Sequence, residues 1–343
     1  MQQKKILVTG GTGYIGSHTV VELLQAGHKV TIADNLSNSE ASVVDRIEQI
    51  AGLRPEFTKV DLANQSEAYK FYKTQHAVDA VIHFAASKAV GESVEKPLMY
   101  YHNNLNSLIH LLEFTQGHNI DSLVFSSSCT VYGQPTTLPV TEATERHEAE
   151  SPYGNTKRIG EDILRDYIKA NSHLNGIALR YFNPIGAHHS ALIGELPRGV
   201  PGNLVPFVTQ TAAGIRGQLQ IFGSDYNTPD GTAIRDYIDV VDLARAHVVA
   251  IQRLLDSKNL SKFELYNLGT GRGVSVLELV QTFEKVTQQK VNYRISDRRP
   301  GDIEQIWADT TLANQTLGWK AEKDLEETLL SAWNWEKHIR GIS

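Results

Sequence analysis

The sequence predicts an α/β protein: a doubly wound parallel sheet with helices on both faces, joined to a smaller mixed α/β C-terminal lobe. Three observations carry this prediction. The apolar run Ile6-Leu7-Val8 leads through Thr9 into a glycine cluster and then directly into a helical pattern. Strand-like apolar runs alternate with helical stretches through the first half. Beyond Asn183 the texture changes to long loops rich in Gly, Pro and His between shorter elements. A chain of 343 residues has room for one large α/β unit or two smaller ones.

In chain order, strand Lys5–Thr9 precedes a helix over 14–26 that ends at Gly27, and strand 29–33 finishes at Asp34. Helix 40–51, strand 56–60, helix 64–75, strand 80–84, helix 97–116 and strand Ser122–Ser126 follow. Ser151 suits a helix cap and Pro152 the first helical position. The second half reads as helix 204–216, strands 219–222 and 235–239, helix 241–255 and strand 263–267. Helix 275–287, strand 290–295 and a last helix near 323–339 complete it. The division falls near 180: residues 1–180 as a nucleotide-binding domain with later returns of the chain to its sheet, and 181–343 mainly as a substrate lobe.

Composition narrows the function classes. A net charge of −6 with no Lys/Arg run gives no footprint for nucleic acid. One cysteine rules out an intramolecular disulfide and fits a reducing compartment. No stretch reaches the roughly 20 apolar residues of a membrane span, so a cytoplasmic protein is expected. The thirteen histidines show no H-x-x-x-H or H-x-H spacing, so no metal site is expected.

Gly10, Gly13 and Gly16 form G-x-x-G-x-x-G, and Gly11, Gly13 and Gly16 also satisfy G-x-G-x-x-G. Between a strand and a helix, such a turn lets a pyrophosphate approach the backbone at the positive end of the helix dipole. That context makes the first unit Rossmann-type. Asp34 lies 18 residues beyond Gly16, where a carboxylate accepts from ribose hydroxyls and repels a 2′-phosphate; NAD is favoured over NADP. Asp34-Asn35-Leu36-Ser37 is also good turn chemistry. Asp61 suits either an adenine contact or a helix cap.

Tyr153 and Lys157 are four apart and share one helix face, where an ammonium favours the phenolate and makes a usable base. Ser126-Ser127-Ser128 ends a strand at the crevice edge, and by spacing either Ser127 or Ser128 can hold a substrate oxygen. Cys129 suits buried filler, with no histidine placed to activate it. Lys88 is placed to reach cofactor phosphate or ribose, and Asn103 to support that pocket. For a nucleotide substrate, the second lobe offers Asn203-Leu204, Gln220-Ile221-Phe222, Arg235-Asp236-Tyr237 and Arg298-Arg299-Pro300-Gly301-Asp302.

Taken together, Thr-Gly-x-x-Gly-x-x-Gly at 9–16, Asp34-Asn35-Leu36, Ser126–Gly133, Tyr-x-x-x-Lys at 153–157 and Arg180-Tyr181-Phe182-Asn183 resemble the extended short-chain dehydrogenase/reductase family, and the matching stretches run nearly end to end. The resemblance implies reversible inversion at carbon 4 of UDP-glucose and UDP-galactose through a transient 4-keto sugar on bound NAD. It implies that Gly10, Gly13, Tyr14, Ile15 and Gly16 hold the pyrophosphate, and that Asp34 and Asn35 hold the adenosine ribose. Asp61 and Leu62 then approach the adenine, with Phe84, Ala85, Lys88, Asn103 and Phe182 lining the remaining cofactor site. Tyr153 becomes the base, Lys157 tunes it and binds the nicotinamide ribose, and Ser128 positions the 4-hydroxyl. Asn183, Asn203, Leu204, Gln220, Phe222, Arg235, Arg299 and Asp302 surround the UDP, and a homodimer pairing helices 97–116 and 151–170 is implied.

Two departures bear on substrate. Ile306, before Trp307, is intermediate between the bulky aromatic of hexose-restricted relatives and the small residue of those taking N-acetylated sugars. Ala86-Ser87 replaces the more frequent Gly-Leu. Nucleotide-sugar 4,6-dehydratases of the family carry an Asp-Glu pair where this chain has Ser128-Cys129, which disfavours elimination. A UDP-N-acetylglucosamine or UDP-uronate 4-epimerase is the alternative, and a non-catalytic nucleotide-sensing module the remote one.

Overall fold

The computed structural model describes residues 2–299 and 302–342. The first half runs β1 (Lys5–Thr9), α1 (Tyr14–Gln25), β2 (Lys29–Asp34), α2 (Ser42–Ala51), β3 (Glu56–Lys59), α3 (Gln65–Thr74), β4 (Ala80–His83), α4 (Val90–Glu95), α5 (Pro97–Gly117), β5 (Ser122–Ser126), α6 (Pro152–Ala170) and β6 (Asn175–Tyr181). The second runs β7 (Asn183–Ile185), α7 (Leu204–Ala212), β8 (Leu219–Phe222), β9 (Ile234–Arg235), β10 (Tyr237–Asp239), α8 (Val240–Leu255), β11 (Phe263–Leu268), β12 (Val274–Ser275), α9 (Val276–Thr287), β13 (Tyr293–Ser296), β14 (Gln305–Ile306) and α10 (Leu325–Arg340).

Seven parallel strands form the main sheet in the order β11-β6-β5-β4-β1-β2-β3. Strand progression reverses between β1 and β4, which opens a crevice at their carboxyl ends. Alternation along β1 sends Ile6 and Val8 into the core on one face, and Leu7 into a separate core on the other. The second lobe has its own core around Val208, Leu279, Phe283 and Trp333. Its strands form three small sheets, β10-β7, β12-β9-β14 and β13-β8. Among the described residues no helix is long and apolar enough to cross a membrane.

Several elements depart from the sequence expectation for local reasons. β6 has no counterpart in it, because Gly176 and Arg180 interrupt the apolar run; here even Arg180 is buried. The expected strand 235–239 divides at Asp236 into β9 and β10, which join different sheets. The expected helix 204–216 stops at Ala212, where Gly214 turns the chain at φ +74°. Asn64, not Asp61, caps α3, its side chain accepting from Glu67 N.

Burial sets an acid limit on this fold. It drives the imidazoles of His18 and His83 down to about 3 and those of His188 and His247 to about 4. All four are neutral in the fold and take a proton on unfolding. Stability is therefore full above the ordinary value of 6.5 and falls as pH drops toward 4. Each contributes up to ~1.4 kcal/mol per pH unit in that window. Urea titrations at pH 7 and 5 are expected to show a clear drop in midpoint, with proton uptake on unfolding.

Candidate active site

The crevice begins at the glycine turn. Gly10 adopts φ +72° and its N–H donates to Ala33 O at 2.8 Å. A Cβ there would press to 2.8 Å from Ala85 N, and one on Gly16 would collide with the Gly10 carbonyl oxygen. Gly13 caps α1 with no side-chain hydrogen bond, so the first-turn N–H groups of Tyr14 and Ile15 lie at an open helix end suited to a phosphate. This cradle, which a side chain would fill, fits a dinucleotide pyrophosphate. Tyr14 also ties the turn to the second lobe, its hydroxyl donating to Gly186 O at 2.7 Å. Gly16→Val is expected to strip the protein of resident NAD and lower its melting temperature, as read by absorbance of the acid extract and by calorimetry.

At the end of β2 the buried Asp34 carboxylate accepts from Leu36 N at 2.9 Å and Thr12 N at 3.2 Å. Asn35, Ser37, Lys59, Val60, Asp61 and Glu67 line a cavity beside it, at the carboxyl ends of β2 and β3. Asp61 Oδ1 accepts from Ala63 N at 3.0 Å, which shapes that wall. The Leu62 side chain is buried in the core under it, and its carbonyl accepts from His110 Nδ1 at 2.9 Å.

Phe84 and Ala85 form the wall opposite Gly10, with the Phe84 ring 4.6 Å from that of His247. Asn103 stands behind them: its amide donates to Ser87 Oγ at 3.1 Å and Asn104 Oδ1 at 3.0 Å, so it braces the loop carrying Lys88. Lys88 Nζ pairs with Glu195 Oε1 at 2.8 Å, 5.4 Å from the Tyr14 ring centre.

Farther along the same edge, α6 delivers Tyr153 and Lys157. Ser151 caps it, accepting from Gly154 N at 3.2 Å. Ser127 and Ser128 part company here. Ser127 Oγ donates to Glu161 Oε1 at 2.6 Å and is fully buried. Ser128 Oγ accepts from Thr130 Oγ1 at 3.0 Å and faces the Tyr153 phenol, whose ionised form it favours. Lys157 Nζ donates to Ser126 O at 2.6 Å and lies 5.9 Å from the Tyr153 ring centre. Burial pulls its ammonium down to about 7. The same burial pushes the Tyr153 phenol well above its ordinary value, with Tyr181 adding to the effect. The i,i+4 spacing predicted a lowered phenol. In the protein alone desolvation outweighs that, because Lys157 spends its charge on a main-chain carbonyl and is itself desolvated.

The second lobe closes the crevice. Arg235 Nη2 pairs with Asp302 Oδ1 at 2.6 Å, and the Arg299 guanidinium sits 5.6 Å from the Phe222 ring centre. Gln220 and Phe222 share one face of β8. Phe182 and Ile306 pack with Cys129, next to Ser128. Asn183 adjoins them on β7, and Asn203, which precedes Leu204 at the start of α7, donates to Glu195 Oε1 at 2.7 Å. Arg298 departs from this group to pair with Asp225 at 2.7 Å, and Pro300 and Gly301 lie outside the described residues. Among the described residues no cluster of three or more His, Cys, Asp or Glu could hold a metal.

Sequence reasoning missed Glu161, Glu195 and Arg198, and offered Asp236 only within the Arg235-Asp236-Tyr237 group for a nucleotide. The Asp236 carboxylate accepts from Thr270 N at 2.8 Å and Ala308 N at 3.2 Å, which fixes β9 beside the strand bearing Ile306.

Comparison with known proteins shows the family. The family model described as GDP-mannose 4,6 dehydratase matches residues 7–331. A UDP-glucose 4-epimerase of Bacillus subtilis (strain 168) is 50% identical over 331 residues, 96% of each chain. A UDP-glucose 4-epimerase crystal structure from Stenotrophomonas maltophila, with bound NAD and formylated UDP-arabinopyranose, superposes with a TM-score of 0.95 at 48% identity, covering 99% of this chain and 100% of that one. Another from Bifidobacterium longum, in complex with NAD+ and UDP, gives 0.93 at 44% identity, again covering 99% and 100%. The chain belongs to the UDP-glucose 4-epimerases of the extended short-chain dehydrogenase/reductase family.

Proposed function

We propose that the chain interconverts UDP-glucose and UDP-galactose by inverting carbon 4, with NAD held throughout the cycle. The observation that carries this is one sheet edge, the carboxyl ends of the parallel strands, which brings the Gly10–Gly16 cradle and Asp34 together with Ser128, Tyr153 and Lys157. Gly10, Gly13, Tyr14, Ile15, Gly16, Asp34, Asn35, Asp61, Phe84, Ala85 and Phe182 hold the cofactor. The chemistry NAD supplies when bound is reversible acceptance of a hydride, so carbon 4 passes through a keto state and returns with no net redox change.

The side chains do the rest. Ser128 holds the 4-oxygen while Tyr153 takes its proton. Lys157, buried beside the phenol, favours the phenolate once it is protonated itself. Asn183, Gln220, Phe222, Arg235 and Arg299 grip the UDP, so the sugar is tethered at one end and turns over within the pocket. The turned-over sugar presents the other face of carbon 4 for hydride return, and Tyr153 gives the proton back to the 4-oxygen. A UDP-galactose deuterated at carbon 4 tests this: the label is expected to stay at carbon 4 of the UDP-glucose formed, and its loss to solvent would rule out hydride return.

Ile306 lies 2% exposed against Phe182 and limits space beside the sugar. Ile306→Ala is expected to raise turnover of UDP-N-acetylgalactosamine relative to UDP-galactose by at least about tenfold, since each methylene in such a pocket discriminates by that order. Steady-state assays of both sugars check it. A homodimer is supported by the apolar side chains that α4 and α5 leave bare, Val94 at 62% and Leu98 at 73% exposure. Sedimentation is expected to give twice 38.1 kDa.

A further inference from the structure

The segment between β7 and α7 runs over the crevice as a strap. Its base is fixed to α10: Ala187 N donates to Ser331 Oγ at 2.9 Å, and Trp335 Nε1 donates to Glu195 O at 3.0 Å. In its middle, the Glu195 carboxylate takes Lys88 from the main sheet's crevice loop at 2.8 Å. Beyond this, Arg198 reaches back across 161 positions of sequence to donate to Ser37 O at 2.9 Å, and donates also to Ser39 O. Both carbonyls belong to the loop that follows Asp34. Ser37 lines the cavity next to Asn35 and Asp61, and Ser39 Oγ meets Thr12 Oγ1 at 2.6 Å, beside the glycine turn.

We propose that Arg198 is a cofactor-retention residue: its guanidinium latches the strap onto the ribose-side loop and holds the adenosine end of NAD in the crevice. The inference rests on the proposed NAD-dependent cycle, in which a dinucleotide lost midway would strand a keto sugar. A dinucleotide held at Asp34 would have its adenosine end beside the wall that Ser37 shares with Asn35 and Asp61, and the Arg198 contacts tie that wall to the strap. The fork of an arginine meets two main-chain carbonyls at once, whereas an ammonium is a point charge that orients less well on such a pair. Arg198 takes no part in the proton chemistry; it acts through the loop it holds.

The test is the first-order exchange of resident NAD for isotopically labelled NAD in the full-length protein. Arg198→Ala is expected to speed release at least about tenfold, with Arg198→Lys between it and the parent, the range that loss of charge-assisted hydrogen bonds gives. An opened latch speeds NAD entry as well as exit, so NAD affinity and the urea midpoint of both variants are expected to stay at the parent's; a merely structural contact would move that midpoint and leave exchange alone. Equal exchange rates in parent and Arg198→Ala overturn the latch. A parent protein that neither contains nor binds NAD overturns the nucleotide reading itself, a result separable from equal rates.

Discussion

Tyr153→Phe is expected to lower kcat for UDP-galactose by about 10²–10⁴-fold, the usual contribution of a positioned proton-transfer group, while the fold and UDP binding persist. The phenol is buried and faces Ser128, and removing one oxygen leaves the ring's packing in place. The other buried hydroxyls nearby have their own engagements: Ser127 with Glu161, Tyr181 with Ser126 and Tyr132 with Asn267. None of them is free to replace the lost base. Calorimetric UDP affinity equal to the parent's, together with the fall in kcat, separates lost chemistry from lost binding.

Glu161→Ala is expected to destabilise the protein by about 3–5 kcal/mol, the cost of leaving a buried charge without its partner. Glu161 is 0% and Arg180 2% exposed, and the two make a forked pair at 2.6 and 2.8 Å. Arg180 Nη1 also donates to Tyr132 OH at 3.0 Å, and Ser127 Oγ donates to the same carboxylate. The network therefore pins both ends of the Ser127–Tyr132 stretch that positions Ser128. Urea unfolding followed by circular dichroism should show the lower midpoint. Glu161→Gln, which keeps the shape and part of the hydrogen bonding, should lose less.

What was legible in the sequence was what short-range geometry dictates. The β1–turn–α1 unit declares itself because close backbone approaches at Gly10 and Gly16 exclude side chains, with Gly13 tight between them. The Ser151-Pro152 start of α6 is equally local. What was not legible depends on partners far apart in the chain. Arg180 looks like a break in a strand until Glu161, on the neighbouring helix, neutralises it, and so β6 went unseen. Asp236 splits an apparently continuous strand because its carboxylate turns to the 270–271 backbone. The lowered phenol read from Tyr153 and Lys157 failed in the protein alone because spacing says nothing about desolvation. Glu195 and Arg198 sit in a Gly/Pro-rich stretch with no period, where only tertiary contacts give them a role.

The protein holds NAD and inverts carbon 4 of a UDP-hexose. The most direct measurement gives the purified protein UDP-galactose without added cofactor and follows UDP-glucose by chromatography, with Tyr153→Phe as the control. Conversion to an equilibrium mixture by the parent, and its near-absence in the control, is the predicted result. Unchanged UDP-galactose even after NAD is supplied would contradict the account.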